Sequence, residues 1–237
     1  MSYFLLSNPG PKGSHYLSRK WSNTPRLTPR PKGSYFFLVL LCVCFLCSCK
    51  SYYRGLQPGK GDINCIQAFT PQFTNTLYSA IIDVTKHHFS GILLFKLMPD
   101  SSTRIVFTNE MGVKFFDFAF TKDGQFIKYY VLHKMDKKVV VNALRKDLEL
   151  ALLHPDLTGA TLLTNDTNNY ITLPDKSGHD YYITDTHCEN LLRIEKSSKR
   201  KPVVVVQLLD CVNGIPDSID VAHKNFKFHI ALKRVER

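Results

Sequence analysis

From residue 49 onward the chain carries four cysteines, Cys49, Cys65, Cys188 and Cys211, and with the histidines these are the residues best suited to chemistry. His187-Cys188-Glu189 sets an imidazole, a thiol and a carboxylate side by side, which invites a thiol or metal reading. Nothing completes it: no C-x-x-C, H-E-x-x-H or second ligand pair at zinc spacing accompanies those residues. His87-His88 reads as a polar connection between two apolar runs. A Gly-rich phosphate loop and a serine nucleophile elbow are also missing. No catalytic residues, metal ligands or diffusible cofactor are therefore expected, and an envelope hydrolase would need a clustered acid-base set that is not there. In an oxidising compartment Cys188 could pair with Cys211 if the last strands are neighbours, which leaves an odd thiol.

Binding is the better-supported class, and its focus is Arg104 to Phe120. Two runs rich in β-branched and aromatic residues flank Asn109-Glu110-Met111-Gly112, the pattern of a hairpin whose glycine supplies the positive φ of a tight turn. Turn tips are normally polar because they face water. Met111 must therefore either tuck back onto a neighbouring loop or stand ready for an apolar partner.

The chain of 237 residues is 44% hydrophobic and 22% charged, enough for one substantial globular domain. Its net charge of +11 raises the question of nucleic acid. Six basic residues, Lys12, Arg19, Lys20, Arg26, Arg30 and Lys32, precede residue 49 with no acidic residue among them, leaving 25 basic against 20 acidic residues, or +5. The excess reads mainly as a targeting feature, with a mildly basic mature surface suited to anionic headgroups. Basic stretches such as 196–201 lack interleaved aromatics, so no nucleic-acid partner is expected. Residues 1–34 are polar and basic, and from Tyr35 an apolar run ending in Ser48-Cys49 is too short, at roughly 1.5 Å per residue, for a ~30 Å hydrocarbon core. It reads as the apolar part of a secretory signal spanning residues 1–48. Leu46-Cys47-Ser48-Cys49 resembles the lipobox of bacterial lipoproteins, in which a small residue precedes a cysteine that is acylated and exposed by cleavage. The resemblance makes Cys49 the lipidation site, and two or more acyl chains give stable attachment.

Residues 49–76 then read as a lipidated tether and entry segment, and 77–237 as the folded domain. Strands are expected at 77–86, 89–98, 104–108, 114–121 and 125–133, with Lys122-Asp123-Gly124 as a hairpin turn. Phe116, Phe118 and Phe120 share one face, as do Ile127, Tyr129 and Val131. The period then changes to about 3.6. Asp136 is the expected N-cap of a helix whose stripe is Val140, Ala143, Leu144, Leu148, Ala151 and Leu152, ending near His154-Pro155. It can lie against the concave, aromatic side of a curved sheet. Between Asp156 and Gly178 only 170–173 looks like a short strand, and strands resume at 179–184, 190–196 and 202–208. In the last run Phe226, Phe228, Ile230 and Leu232 alternate with polar residues. The fold class is mainly antiparallel β with α, an α+β arrangement.

The lipobox, the strand-loop-strand Ile105-Val-Phe-Thr-Asn-Glu-Met-Gly-Val113 and the closing Ile215-Pro-Asp-Ser-Ile-Asp-Val221 together resemble the LolB family of outer-membrane lipoprotein receptors, within the wider LolA-like and LolB-like folds. The similarity covers 89–132 and 215–235. Glu110 stands where the family usually has proline, and 156–190 follows no family pattern. The resemblance implies an incomplete, strongly curved antiparallel β-barrel with a helical lid over an apolar cavity, and transfer of acylated proteins without chemistry. It also implies a membrane-insertion loop, Asn109, Glu110, Met111 and Gly112, with Met111 at the tip. Candidate acyl-cavity residues are Leu93, Phe95, Phe107, Phe116, Phe118, Ile127, Tyr129 and Leu144, all types that a β-meander also buries as ordinary core. Expected partners are acylated lipoproteins, a periplasmic LolA-like carrier and membrane lipids, for a monomer lipid-anchored to the periplasmic face of the outer membrane. The alternative is an envelope lipoprotein of the same fold that binds lipid or serves structurally without transfer.

Overall fold

The structure, a computed structural model, describes residues 51–198 and 200–235; the basic leader, the apolar run and Cys49 lie outside the described residues. Thirteen strands form one antiparallel sheet: β1 (Gln57–Pro58), β2 (Asn75–Val84), β3 (His87–Leu97), β4 (Thr103–Thr108), β5 (Lys114–Phe120), β6 (Phe126–Val131), β7 (Thr161–Thr164), β8 (Asn168–Asp175), β9 (Gly178–Asp185), β10 (Leu191–Ser197), β11 (Pro202–Leu209), β12 (Ser218–His223) and β13 (Phe228–Arg234). Their order is β1-β7-β8-β9-β10-β11-β12-β13-β2-β3-β4-β5-β6, so β1 and β6 are the free edges and the sheet does not close. One α-helix, α1 (Lys138–Leu152), follows β6.

The sheet has to curve. Laid flat, thirteen strands at ~4.8 Å spacing would span on the order of 60 Å, while a helix is only ~10 Å across. Yet inward residues from β5 (Phe118), β8 (Leu173), β11 (Val206) and β13 (Ile230) share one buried cluster with Leu144, Leu148 and Leu152 of α1. The clean alternation of β2, where Tyr78, Ala80, Ile82 and Val84 are buried, is the sequence signature of this one-sided burial. On the outer face Tyr53 stacks on Tyr181 at 4.0 Å between ring centroids and donates to Glu195 at 2.7 Å, fastening the segment before β1 onto β9 and β10.

Several expectations are corrected. The stripe of α1 is buried at Leu144, Leu148, Ala151 and Leu152, but the N-cap is Lys137, without a side-chain hydrogen bond, because the Asp136 carboxylate accepts from Lys128 Nζ at 2.8 Å instead. His87 and His88 belong to β3, since Thr85 at φ +56° lets the chain turn in two residues. Phe226 stands outside β13, on the turn. The Thr- and Asn-rich stretch after Asp156 holds two strands, β7 and β8, whose polar residues face outward or lie in turns closed by Asn165. Cys188 pairs with Cys65, not Cys211, because the β9–β10 turn lies against the short 3-10 helix Ile63–Phe69. Cys211 is free and exposed. The disulfide takes up the thiol of His187-Cys188-Glu189, and these three residues lie in the β9–β10 turn.

The Cys65–Cys188 bridge spans 123 residues of sequence and joins the entry segment to the far side of the sheet. Cys65→Ser should lower unfolding stability by about 2–5 kcal/mol, read as a fall in the urea midpoint, whereas Cys211→Ser should leave that midpoint in place.

Candidate functional site: the β4–β5 hairpin and the inner face

The hairpin at Asn109–Val113 is built by its own backbone. The Asn109 N–H donates to the Val113 carbonyl at 2.9 Å, the Gly112 N–H to the Asn109 carbonyl at 3.0 Å, and the Val113 N–H to Asn109 Oδ1 at 2.8 Å. Gly112 takes φ +80°, which a side chain would strain. The asparagine thus closes the loop from inside, and Met111 is left 88% exposed at the tip with Val113 beside it, about half exposed. Just below, Phe115 packs on Phe89 and Phe107, with centroids at 5.2 and 4.8 Å, so the loop rises from an aromatic base.

Two supports for this loop were not among the predicted residues. Gly91 of β3 lies against the end of β4, where an added Cβ would come within 1.9 Å of the Thr108 carbonyl oxygen; a glycine inside a strand pattern is the signal that could have found it. Asp117, 1% exposed, accepts from Arg104 Nε and Nη2 at 2.8 and 2.9 Å and from Lys114 Nζ at 2.7 Å. The Arg104 guanidinium in turn lies 4.6 Å from the Tyr129 ring centroid. Burial pushes the Asp117 carboxyl up, but its hydrogen bonds to Arg104 and Lys114 prevail and hold it below the usual aspartate value.

On the inner face Leu93, Phe95, Phe107, Phe116, Phe118 and Leu144 are fully buried together. Phe116 stacks on Phe118 at 4.6 Å, Phe107 meets Phe116 at 5.5 Å, and Phe95 stacks on Phe73 at 4.2 Å. Ile127 and Tyr129 are not part of this set. They are 37% and 57% exposed, because a bulge between Asp117 and Phe118 shifts the register of β6 and turns Tyr129 toward Arg104 on the outer side. Phe126 takes the inward place, 4.9 Å from Phe118, with Arg145 of α1 over its ring at 5.7 Å.

The helix is held across this face by polar contacts at two points. Asp147 is 2.8 Å from His223 Nε2 at the end of β12, both nearly buried, and the Thr70 hydroxyl donates to the Leu153 carbonyl at 2.9 Å. Burial raises the Asp147 carboxyl above its usual range, and the hydrogen bond from His223 pulls it part of the way back.

Because neighbouring strands are antiparallel, their turns alternate between two ends of the sheet. The Met111 loop shares its end with the β2–β3, β8–β9, β10–β11 and β12–β13 turns and with the exit from β6 into α1. Among the described residues those connections carry eight lysines and arginines against two acidic residues; the turns at the opposite end carry one against six. The Tyr52 N–H donates to the Arg200 carbonyl at 2.8 Å, so the described chain begins at the basic end.

No protein-family model and no curated protein matches the chain. Among solved structures it is similar to a LolA superfamily protein from Nitrosomonas europaea, at 10% identity and a TM-score of 0.44 over 73% of this chain and 90% of that one. It is also similar to a putative outer membrane lipoprotein-sorting protein domain from Vibrio parahaemolyticus, at 6% identity and a TM-score of 0.42 over the same shares.

The Asp117 cluster gives the hairpin a pH signature. A carboxyl depressed in the folded state stabilises fully above its unfolded value and ceases to do so as pH falls through the folded one. Asp117→Asn should therefore cost about 1–3 kcal/mol at neutral pH. That deficit should shrink as pH drops below the ordinary aspartate value of 3.8, measured as the difference in urea midpoint between wild type and variant.

Proposed function

We propose that this chain is a lipid-anchored module that receives acylated proteins and inserts them into the outer membrane from its periplasmic face, with the β4–β5 hairpin as the part that enters the bilayer. The observation that carries the reading is Met111, 88% exposed on a loop fixed by Asn109 and Gly112. A flexible, polarizable thioether held in water by a rigid turn gains free energy only where it meets an apolar phase.

Two further features support the bilayer as that phase. The basic turns at the same end suit anionic headgroups, and the described chain starts there. Acyl cargo would lodge between α1 and the inner face, against Phe107, Phe116, Phe118 and Leu144, with α1 as the lid that swings aside when Asp147 leaves His223. The transfer needs no catalytic group, metal or cofactor beyond the lipid on Cys49. Its partners would be acylated proteins and a soluble LolA-like carrier, and the chain would act as a monomer.

A second reading, the same module attached to the membrane without exchanging acyl chains, is favoured by one observation: six candidate cavity residues have 0% exposure and pack on one another. Met111→Glu separates the two. Stability should change by no more than about 0.5 kcal/mol, as for an exposed site, while delivery of an acylated protein from a carrier to vesicles should be lost; unimpaired delivery would favour the second reading. Palmitate labelling tests the anchor separately, since Cys49→Ala should abolish incorporation and equal labelling would remove it.

A further inference from the structure

The β2–β3 and β12–β13 turns flank a cleft of about 710 Å³ whose rim carries Lys86, Lys224 and Lys227. All three are exposed, and none makes an ion pair among the described residues. The carboxylate that lines the cleft, Asp83, is already occupied by His88 Nδ1 at 2.7 Å, and His229 is held by Asp220 at 2.6 Å. Three lysines against the one carboxylate of Asp83 leave the cleft lining with net positive charge.

Phe226 stands in the same rim, 45% exposed, braced by His223 and Phe228 with ring centroids at 4.6 and 5.9 Å. A ring in water beside three lysines is the pairing found where a protein meets a bilayer interface: the ring enters the headgroup layer and the ammonium groups meet phosphates. Val139, 75% exposed at the start of α1, and Met111 lie at the same end. Nucleic acid would use the lysines but would leave these aliphatic side chains without a partner.

We propose that this cleft binds the phosphate of anionic lipid headgroups, with Lys86, Lys224 and Lys227 as its ligands and Phe226 as the interfacial wedge. The proposal deepens the membrane-facing reading above but rests on different residues, so each can fail alone. It gives the membrane end two contacts on separate hairpins: an apolar one at Met111 that is indifferent to lipid charge, and a charged one that selects anionic surfaces. Two contacts on a rigid sheet fix orientation, which one tip cannot do.

The test is partition of the full chain onto vesicles of phosphatidylcholine alone and of phosphatidylcholine with phosphatidylglycerol, scored as the ratio between the two. That ratio cancels the contribution of the apolar run at 35–47, which every variant shares. Lys224→Ala combined with Lys227→Ala should lower it about 30-fold, and Phe226→Ser should weaken binding to both vesicles. Met111→Gln, which removes the apolar tip without adding charge, should weaken binding to both while leaving the ratio unchanged, and if it changes neither, the insertion reading fails while the headgroup site stands. Lys122→Ala, at the opposite end, is the control for net charge. An unchanged ratio in the double variant, an equal loss in Lys122→Ala, full competition by inorganic phosphate, or tighter binding to single-stranded RNA would each overturn the assignment.

Discussion

One helix has to cover the inner face of an open thirteen-stranded sheet, and the rest of the molecule follows from that requirement. α1 offers Val141, Leu144, Leu148, Leu150 and Leu152 as buried apolar side chains. At about 1.5–3 kcal/mol for each large side chain removed from water, these and the ring stack of Phe107, Phe116 and Phe118 supply much of the drive to curl the sheet. Curling is what brings β6 on one side and β11 and β12 on the other into reach of the same helix, as the contacts of Phe126 with Arg145 and of His223 with Asp147 show. An antiparallel sheet whose inner face is satisfied in this way does not need to close, and the edges at β1 and β6 remain free.

Since the core is settled on the inner face, the two ends of the sheet can differ in charge without cost to the fold. Turn residues sit in water and are weakly constrained by packing, yet here they are sorted, basic at one end and acidic at the other. Sorting of this kind sets up a dipole along the strands that would orient the molecule if it approached an anionic surface. The same end carries Met111, Val113, Val139 and Phe226 as exposed apolar side chains in or beside its turns. Charge acts at a distance and apolar contact acts only on touching, so on the proposed reading the two features would work in succession.

Where one face of an element is buried, its sequence showed the element plainly: the alternation of 75–84 and the stripe of 140–152 leave little choice of face, and Gly112 marks its turn. Contacts between elements far apart in the chain were not legible. Cys65 pairs with Cys188 because the 3-10 helix at 63–69 lies against the β9–β10 turn, and no local pattern in either segment specifies the other. The outward placement of Ile127 and Tyr129 depends on one bulge opposite Phe118, and a single extra residue reverses a face. Strand β12 was hidden for another reason: Ser218, Asp220 and Ala222 alternate with Ile219 and Val221, but the stretch is too short to stand out beside its neighbours. The exposure of Met111 was an open question in the sequence, since a loop tip can fold either way, and it is the Asn109 hydrogen bonds that decide it.

The filled interior and the exposed tip bear on each other through the energetics of α1. Lifting the helix would return its five apolar side chains to water at a cost of roughly 8–15 kcal/mol, and would strip Asp147 of the partner that makes its burial tolerable. An acyl chain of about sixteen carbons taking the helix's place would bury methylenes worth about 0.8 kcal/mol each, or roughly 12 kcal/mol. The two quantities are of the same size. On the proposed reading, an exchange so nearly balanced would let cargo enter and also leave, because neither the closed state nor the loaded one would be a deep trap. On the same reading, contact of the Met111 end with lipid would shift the balance by supplying an apolar phase for the cargo to enter, so release would be coupled to docking and would need no further source of energy.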